Sequence, residues 1–370
     1  MSKQLGARRN FRVICLVLLF GFIGVIIFQY SQAATPFIAA EPENGSVTPT
    51  AVIATDTAAS GGKAVRFGSA ADPAVLPGWG APVFRDEFTY RNSQNQPVID
   101  PTKWNVRDRS DLGLLFDAAI PDRNQVSVDT QGILHLKGEW LDAPQARPTN
   151  QSGPPLTHKT GYIDQRPLKS GNVSFTQHYG RWEIRAKMPT GPNTLGALSA
   201  FWLRSSVPGE IDIVEAWGYK GNTPTTNGQF PGASTLTIHS NTAGPGSAGY
   251  QKTFWRVNEQ LKDYASTNWS YMSNNLPITP AFSDFRTWAF EYTPTYLAGY
   301  YEGKRYAYTT PAETPWLWDP ANFGQPFHVR LNLHVGPDAN YWGYPDWSDK
   351  QWTQPLDYQV DYVRIWKYND

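Results

Sequence analysis

From Gly78 onward, short runs of alternating apolar and polar residues recur between clusters of Gly, Pro and Asn. A period of two places one face of a strand in a core and the other in water or a site. Ile133-Leu134-His135-Leu136 is one such run. In another, Trp182, Ile184, Ala186 and Met188 alternate with Arg181, Glu183, Arg185 and Lys187. Further runs are Thr235 to His239, Trp288 to Tyr292, Phe327 to His334 and Tyr358 to Trp366. Glu302-Gly303, between Tyr300-Tyr301 and Tyr306, reads as a hairpin turn. Helical spacing competes only from Trp255 to Tyr264, inside a long insertion from Thr242 to Phe282. Many short strands without a solenoid or propeller repeat predict an all-β fold, a sandwich of two packed antiparallel sheets.

The N-terminal pattern is different. Lys3, Arg8, Arg9 and Arg12 precede an apolar run from Val13 to Phe28, followed by Ser31-Gln32-Ala33-Ala34. No acid occurs before Glu41. This order is that of an export signal, so residues 1–34 are expected to be a cleaved signal peptide or, uncleaved, a membrane anchor. The run is short for a membrane span. In either case the rest of the chain is expected outside. Residues 35–77 are rich in Ala, Thr, Pro, Gly and Ser and read as a linker or partial β module with a strand or two. Ala40 to Gly45 and Ala58 to Gly68 within it resemble the edges of certain β-sandwich carbohydrate-binding modules. Residues 78–370 form the main domain.

Composition narrows the choices. The chain has 32 basic and 32 acidic side chains, so no electrostatic footprint for nucleic acid. Its only cysteine, Cys15, falls in the leader, which excludes a disulfide scaffold and cysteine chemistry in the exported part. Fifteen Trp and 19 Tyr exceed ordinary use. Aromatic faces fill cores, and they also stack on sugars, bases and cations.

The sharpest local feature is Pro208-Gly209-Glu210-Ile211-Asp212-Ile213-Val214-Glu215-Ala216-Trp217. Alternation puts Glu210 and Asp212 on one face and turns Glu215 away. A β-bulge, one extra residue in the strand, would swing Glu215 back beside them. Three carboxyl groups on one face of an apolar strand repel one another and cost desolvation. Retaining glycoside hydrolysis uses such a set, with one carboxylate attacking and another, kept protonated, donating to the leaving oxygen. A solvated edge strand or a metal site is the competing reading, although one strand supplies few of the oxygens a hard cation needs.

The segment Glu210-Ile-Asp-Ile-Val-Glu215 resembles the signature of glycoside hydrolase family 16 in its bulged, laminarinase-like form. Further blocks resemble the family in the same order. They are Phe84-Arg85-Asp86-Glu87-Phe88, Lys103-Trp104-Asn105, Asn124 through Leu134, Tyr179 through Pro189 with Ala200-Phe201-Trp202-Leu203, and Asp361-Tyr362-Val363-Arg364-Ile365-Trp366. The resemblance implies a β-jelly-roll with a concave substrate cleft. It implies Glu210 as nucleophile, Glu215 as general acid/base and Asp212 as the group that tunes the nucleophile. Alternation and the family's sugar-binding strands together nominate Glu183 with Arg185, His239 with Asn241, and Asn332 with His334 as sugar contacts. Trp202 matches an aromatic of the cleft floor, and Trp217 flanks the acids. His239 is also placed to hydrogen-bond Asp212. No cofactor is implied for catalysis. A structural calcium ion on the convex face is implied, with Asp361 as its candidate ligand.

The resemblance thus implies an exported endo-acting retaining hydrolase of a β-linked polysaccharide, with a β-1,3- or β-1,3-1,4-glucan as first expectation. A monomer is expected. Galactan hydrolysis of the agar or carrageenan type, transglycosylation, and a lectin-like binding protein on the same fold are the alternatives. A sulfated substrate calls for a basic cleft, for which Arg185, Arg204 and Lys220 are a modest supply. Two departures bear on substrate. Pro208 stands where laminarinase-like members usually carry Trp, after a short loop from Leu203 to Gly209. Leu333-His334-Val335-Gly336-Pro337 has His and Pro where the commoner version has Ala and Gly.

Overall fold

A computed structural model describes residues 51–55, 63–67, 74–109, 119–147, 155–166, 175–189, 193–218, 234–239, 254–257, 260–263, 269–271, 284–336 and 355–369. The leader and Asn241 lie outside the described residues. The chain divides into two units, Met1–Val75 and Leu76–Asp370. In the first, Ala51–Thr55 pairs antiparallel with Lys63–Phe67. The second strand falls within the Ala58–Gly68 stretch singled out above.

The second unit holds two large sheets. The larger has ten strands, with Gly180–Lys187 between Arg286–Tyr292 and Leu356–Lys367. Its one parallel pair is Ala119–Pro121 with Leu156–Thr160. The smaller has seven antiparallel strands in the order Trp269–Tyr271, Ser234–His239, Glu210–Trp217, Ala197–Arg204, His328–Val335, Tyr162–Asp164, Asn105–Val106. The chain passes between the sheets at Gly161, which joins Leu156–Thr160 to Tyr162–Asp164. A side chain at Gly161 would run into the Gln125 carbonyl at 2.7 Å and Leu136 Cα at 2.9 Å, so only glycine lets the crossing pass this close.

The core follows from the alternation. Trp182, Ile184, Ala186, Phe290, Tyr358, Val360, Val363 and Ile365 of the large sheet are buried in one cluster with Phe201, Leu203, Ile211, Ile213, Val214, Leu236, Ile238, Val329 and Leu331 of the small one. At roughly 1.5–3 kcal/mol for each fully buried large apolar side chain, this layer dominates the stability of the sandwich. The Glu302-Gly303 turn is present, with both residues at positive φ, closing the hairpin of Leu297–Tyr301 and Lys304–Thr309. One expectation fails in the described part of Trp255 to Tyr264, where Phe254–Val257 pairs antiparallel with Gln260–Asp263. The spacing there counted aromatic positions that two short strands supply as well as a helix would.

Candidate active site

The acid strand is Glu210–Trp217, paired on one side with Ala197–Arg204 and on the other with Ser234–His239. Trp202 stands opposite Asp212, and Phe201 opposite Val214, so Ile213 is an extra residue. The register to Ser234–His239 shifts over the same step, between Asp212 opposite Thr237 and Glu215 opposite Thr235. Ile213 and Val214 both enter the core. The bulge therefore restores Glu215 to the face that carries Glu210 and Asp212. Leu236, Ile238, Ile211 and Phe201 anchor the strands from below, which fixes where the three acids stand.

The electrostatics separate the acids. Burial raises the Glu215 carboxyl well above its ordinary value, and the charges of Asp212 and Glu210 push the same way. Its one hydrogen-bond donor among the described residues is Thr237 Oγ1, at 3.5 Å. Burial also raises Glu210, with Asp212 adding to it, but His239, Arg204 and Arg330 pull it back. Arg204 Nη1 lies 3.1 Å from Glu210 Oε2. His239 Nε2 lies 3.1 Å from Asp212 Oδ2. Burial alone would lower His239, yet the hydrogen bond and charge of Asp212 and the charge of Glu210 leave it raised. The Glu215 carboxyl thus has its proton affinity raised without a cation beside it among the described residues, while Glu210 keeps cationic company. That division suits one group to donate a proton and the other to attack.

The registers set out rows of side chains across the outer face of this sheet. Thr237, Asp212, Trp202, Arg330, Asp164 and Asn105 form one row. His239, Glu210, Arg204 and His328 form the next. Trp202 is half-buried, gives its indole N–H to Asn332 Oδ1 at 2.7 Å, and carries the Arg330 guanidinium 4.5 Å from its ring centre. His334 lies beyond, its ring 6.4 Å from that of Trp202. Arg204 joins Glu210 although the sequence singled it out only for its charge. Its signal was period two along the strand, which places it on the face of Trp202, two residues earlier. Arg330 and His328 likewise continue the period of Asn332 and His334.

Several expected sugar contacts are placed elsewhere. Glu183 and Arg185 belong to the ten-stranded sheet, on the face away from the core, and not to the sheet of the acids. Period-two reasoning told which face they share but could not tell which sheet owns the strand. Nor do they pair with each other. Glu183 takes Arg181 Nη2 at 2.6 Å and the Tyr362 hydroxyl at 3.0 Å, while Arg185 donates to Asp361 Oδ2 at 2.5 Å. Trp217 shares the face of Glu215 but is only 1% exposed, packed on its cross-strand partner Leu198. Asn332 is also 1% exposed and holds the Trp202 indole from below. Asn241 lies outside the described residues. Pro208, in place of the usual Trp, accepts Arg204 Nη1 at 2.8 Å through its carbonyl, so the short loop steers the arginine beside Glu210.

Two places bear on metal binding. Asp361 is the candidate ligand of the calcium ion that the resemblance implies, together with early backbone oxygens. Its carboxylate is taken by the Arg185 guanidinium. Ligand atoms of Glu210, Asp212 and His239 do lie within 4.8 Å of one another. There the charge is already balanced by Arg204 and His239, and a cation would face a guanidinium and take His239 from Asp212. The set reads as paired acids.

Comparison with known proteins agrees with this geometry. The model of the family "Glycosyl hydrolases family 16" matches residues 162–363, more than half of the chain. A beta-glucanase of Rhodothermus marinus is 28% identical over 222 residues, 56% of this chain and 63% of that protein. Glucan endo-1,3-beta-glucosidase A1 of Niallia circulans is 30% identical over 319 residues, 82% of this chain and 40% of that protein. The chain therefore spans less than two thirds of either relative. The laminarinase catalytic domain of Thermotoga maritima superposes with a TM-score of 0.56 at 21% identity, covering 80% of this chain and all of that one, and shares the jelly-roll fold. The bulged acid strand lies inside the matched region, and the chain belongs to glycosyl hydrolases family 16.

Proposed function

We propose that the protein is an exported, retaining, endo-acting glycosidase of a β-linked polysaccharide whose backbone is a β-1,3- or β-1,3-1,4-glucan. The observation that carries the reading is the unequal pair of glutamates on one bulged strand. Glu215 is half-buried, close to two other acids and, among the described residues, without a paired cation. Glu210 has Arg204 at 3.1 Å. In this reading Glu210 attacks the anomeric carbon while Glu215 gives its proton to the leaving oxygen. The covalent glycosyl-enzyme forms as the glycosidic bond breaks. Glu215, now a carboxylate, then takes a proton from water, and the water oxygen displaces Glu210. Asp212, with His239 Nε2 at 3.1 Å, stands between the two and raises the proton affinity of Glu215. The relatives named for glucan hydrolysis support the choice of backbone. The charged, then apolar N-terminal segment supports export.

Incubation with laminarin, lichenan and agarose tests the reading through release of reducing ends. Product is expected from the glucans and none from the Glu210→Gln variant. Product from agarose alone would move the substrate to a galactan. Binding without product, unchanged by Glu210→Gln, would make the chain a lectin-like protein and sink the enzyme reading.

A further inference from the structure

Beside the three acids, the same outer face carries a group of arginines that form no ion pair with them among the described residues, although the charge of Arg330 acts on Glu210. Arg107 of Asn105–Val106 and its flank, Arg166 beyond Tyr162–Asp164, and Arg330 of His328–Val335 meet there from three distant stretches of chain. They share one buried carboxylate. Asp164 takes Arg107 through two hydrogen bonds, at 2.6 and 3.0 Å, and has Arg166 Nε at 3.5 Å. Arg330 has no ion pair among the described residues. Its Nε donates to His328 Nε2 at 3.1 Å, its Nη1 reaches the Tyr162 hydroxyl at 3.5 Å, and its plane lies over Trp202. All three partners are neutral. His328 accepts that bond as an uncharged imidazole, since burial and the neighbouring arginines hold its pKa down to about 3. Among the described residues these three guanidiniums have one directly paired carboxylate, with Glu210 the next acid on which Arg330 acts, so the group carries an excess of positive charge on a partly exposed surface. Gathering cations this close costs free energy: burial lowers the basicity of Arg166 first and the charge of Arg330 lowers it further, against the pull of Asp164.

The location gives the cost a use. Arg330 stands in the row of Asp212 and Trp202, two strands from the acids. At about 4.8 Å between strands, that is about 10 Å, within reach of a sugar bound next to the one under attack. A guanidinium stacked on an indole presents its remaining N–H donors edgewise, the geometry that receives a carboxylate or sulfate. Arg107 is 1% exposed and acts as the anchor, whereas Arg166 and Arg330 are the partly exposed members.

We propose that Arg330 and Arg166 form a subsite for an anionic substituent, a carboxylate or a sulfate ester, on the polysaccharide beside the cleavage point. The inference rests on the glycosidase reading above and names the class of β-glycan it would prefer. The zero net charge of the chain hid the feature, because the arginines gather only in the fold.

Calorimetry on the Glu215→Gln variant tests the subsite without turnover. The probes are three β-1,3-glucan oligosaccharides of equal length: neutral, oxidised to carboxylate at the primary alcohols, and O-sulfated. At least one anionic probe should bind tenfold or more tighter than the neutral one. The advantage should fall steeply between low and high salt, and it should disappear when Arg330→Gln is added. The two anionic arms tell carboxylate from sulfate. Equal or tighter binding of the neutral probe, binding of none of the three, or an anionic advantage that survives both salt and Arg330→Gln would overturn the proposal. The salt titration serves even if Arg330→Gln does not fold. Reducing-end release by the unsubstituted protein keeps the two readings apart. Anionic preference without product leaves the subsite standing and removes the glycosidase. Product without anionic preference does the reverse.

Discussion

Glu215→Gln separates the two roles of one side chain, chemistry and electrostatic cost. Gln fills the same space and can still accept from Thr237, but it neither gives up a proton nor carries charge. Loss of a general acid costs about 10²–10⁴ in rate, so release of reducing ends from polysaccharide should fall by that much. Stability should move the other way. Folding raises the Glu215 pKa above its ordinary 4.5, so the native state holds the proton more tightly than the unfolded chain. Below 4.5 both states are protonated, and Glu and Gln are nearly equivalent. As pH rises past that value the unfolded chain ionises freely and the native state does not. Each pH unit then removes up to about 1.4 kcal/mol of native stability until the folded pKa is passed. The variant escapes this loss. Its Tm advantage should be near zero below the ordinary 4.5 and grow with pH until the folded pKa is passed, at about 2 °C per kcal/mol for a domain of this size. Calorimetric scans of both proteins across that range are the assay. An advantage that is flat with pH, or a variant less stable at neutral pH, would refute the account of a carboxyl whose proton affinity is raised by burial and by its neighbours.

Other substitutions probe the remaining claims. Arg204→Met removes the guanidinium 3.1 Å from Glu210, so Glu210 should rise further. The acidic limb of the pH–rate profile should then shift to higher pH, and kcat/KM on that limb should drop roughly 10–100-fold, the worth of a charged hydrogen bond. An unmoved limb would dissociate Arg204 from the nucleophile. Arg185→Ala should keep kcat/KM within about twofold and cost about 0–1 kcal/mol, since its pair with Asp361 is partly exposed and on the other sheet. A tenfold loss of activity would return Arg185 to the site. His239 is raised above 6.5 by Asp212, so its pairing stabilises the fold fully below that value and less as pH rises through the folded pKa. Denaturant titration of His239→Asn should show a deficit that is largest on the acid side and shrinks as pH rises through the folded pKa. A deficit independent of pH would mean His239 acts by packing.

Strand positions, hairpin and bulge were legible because each is a local pattern. Alternation gives faces, Glu-Gly gives a tight turn, and three acids on an apolar strand demand one extra residue. Ownership of strands by sheets was not legible. Arg181-Trp182-Glu183-Ile184-Arg185 has the same period as Ala200-Phe201-Trp202-Leu203-Arg204, and only long-range pairing sends the first to the ten-stranded sheet and the second to the acids. Depth was hidden for the same reason. Trp217 is on the right face but closed over, and Asn332 supports Trp202 from beneath, facts that depend on neighbours across the sheet. The arginine group was the least visible, since Arg107, Arg166 and Arg330 come from separate blocks whose charges cancel in the composition.

The central claim is that Glu210 and Glu215 cleave by double displacement, and the configuration of the first product tests it most directly. Proton NMR of a laminarin oligosaccharide digest, recorded before mutarotation, should show the new reducing end first as the β-anomer, with α appearing later. An α-anomer formed first would mean inversion and would contradict the assignment of Glu210 as nucleophile.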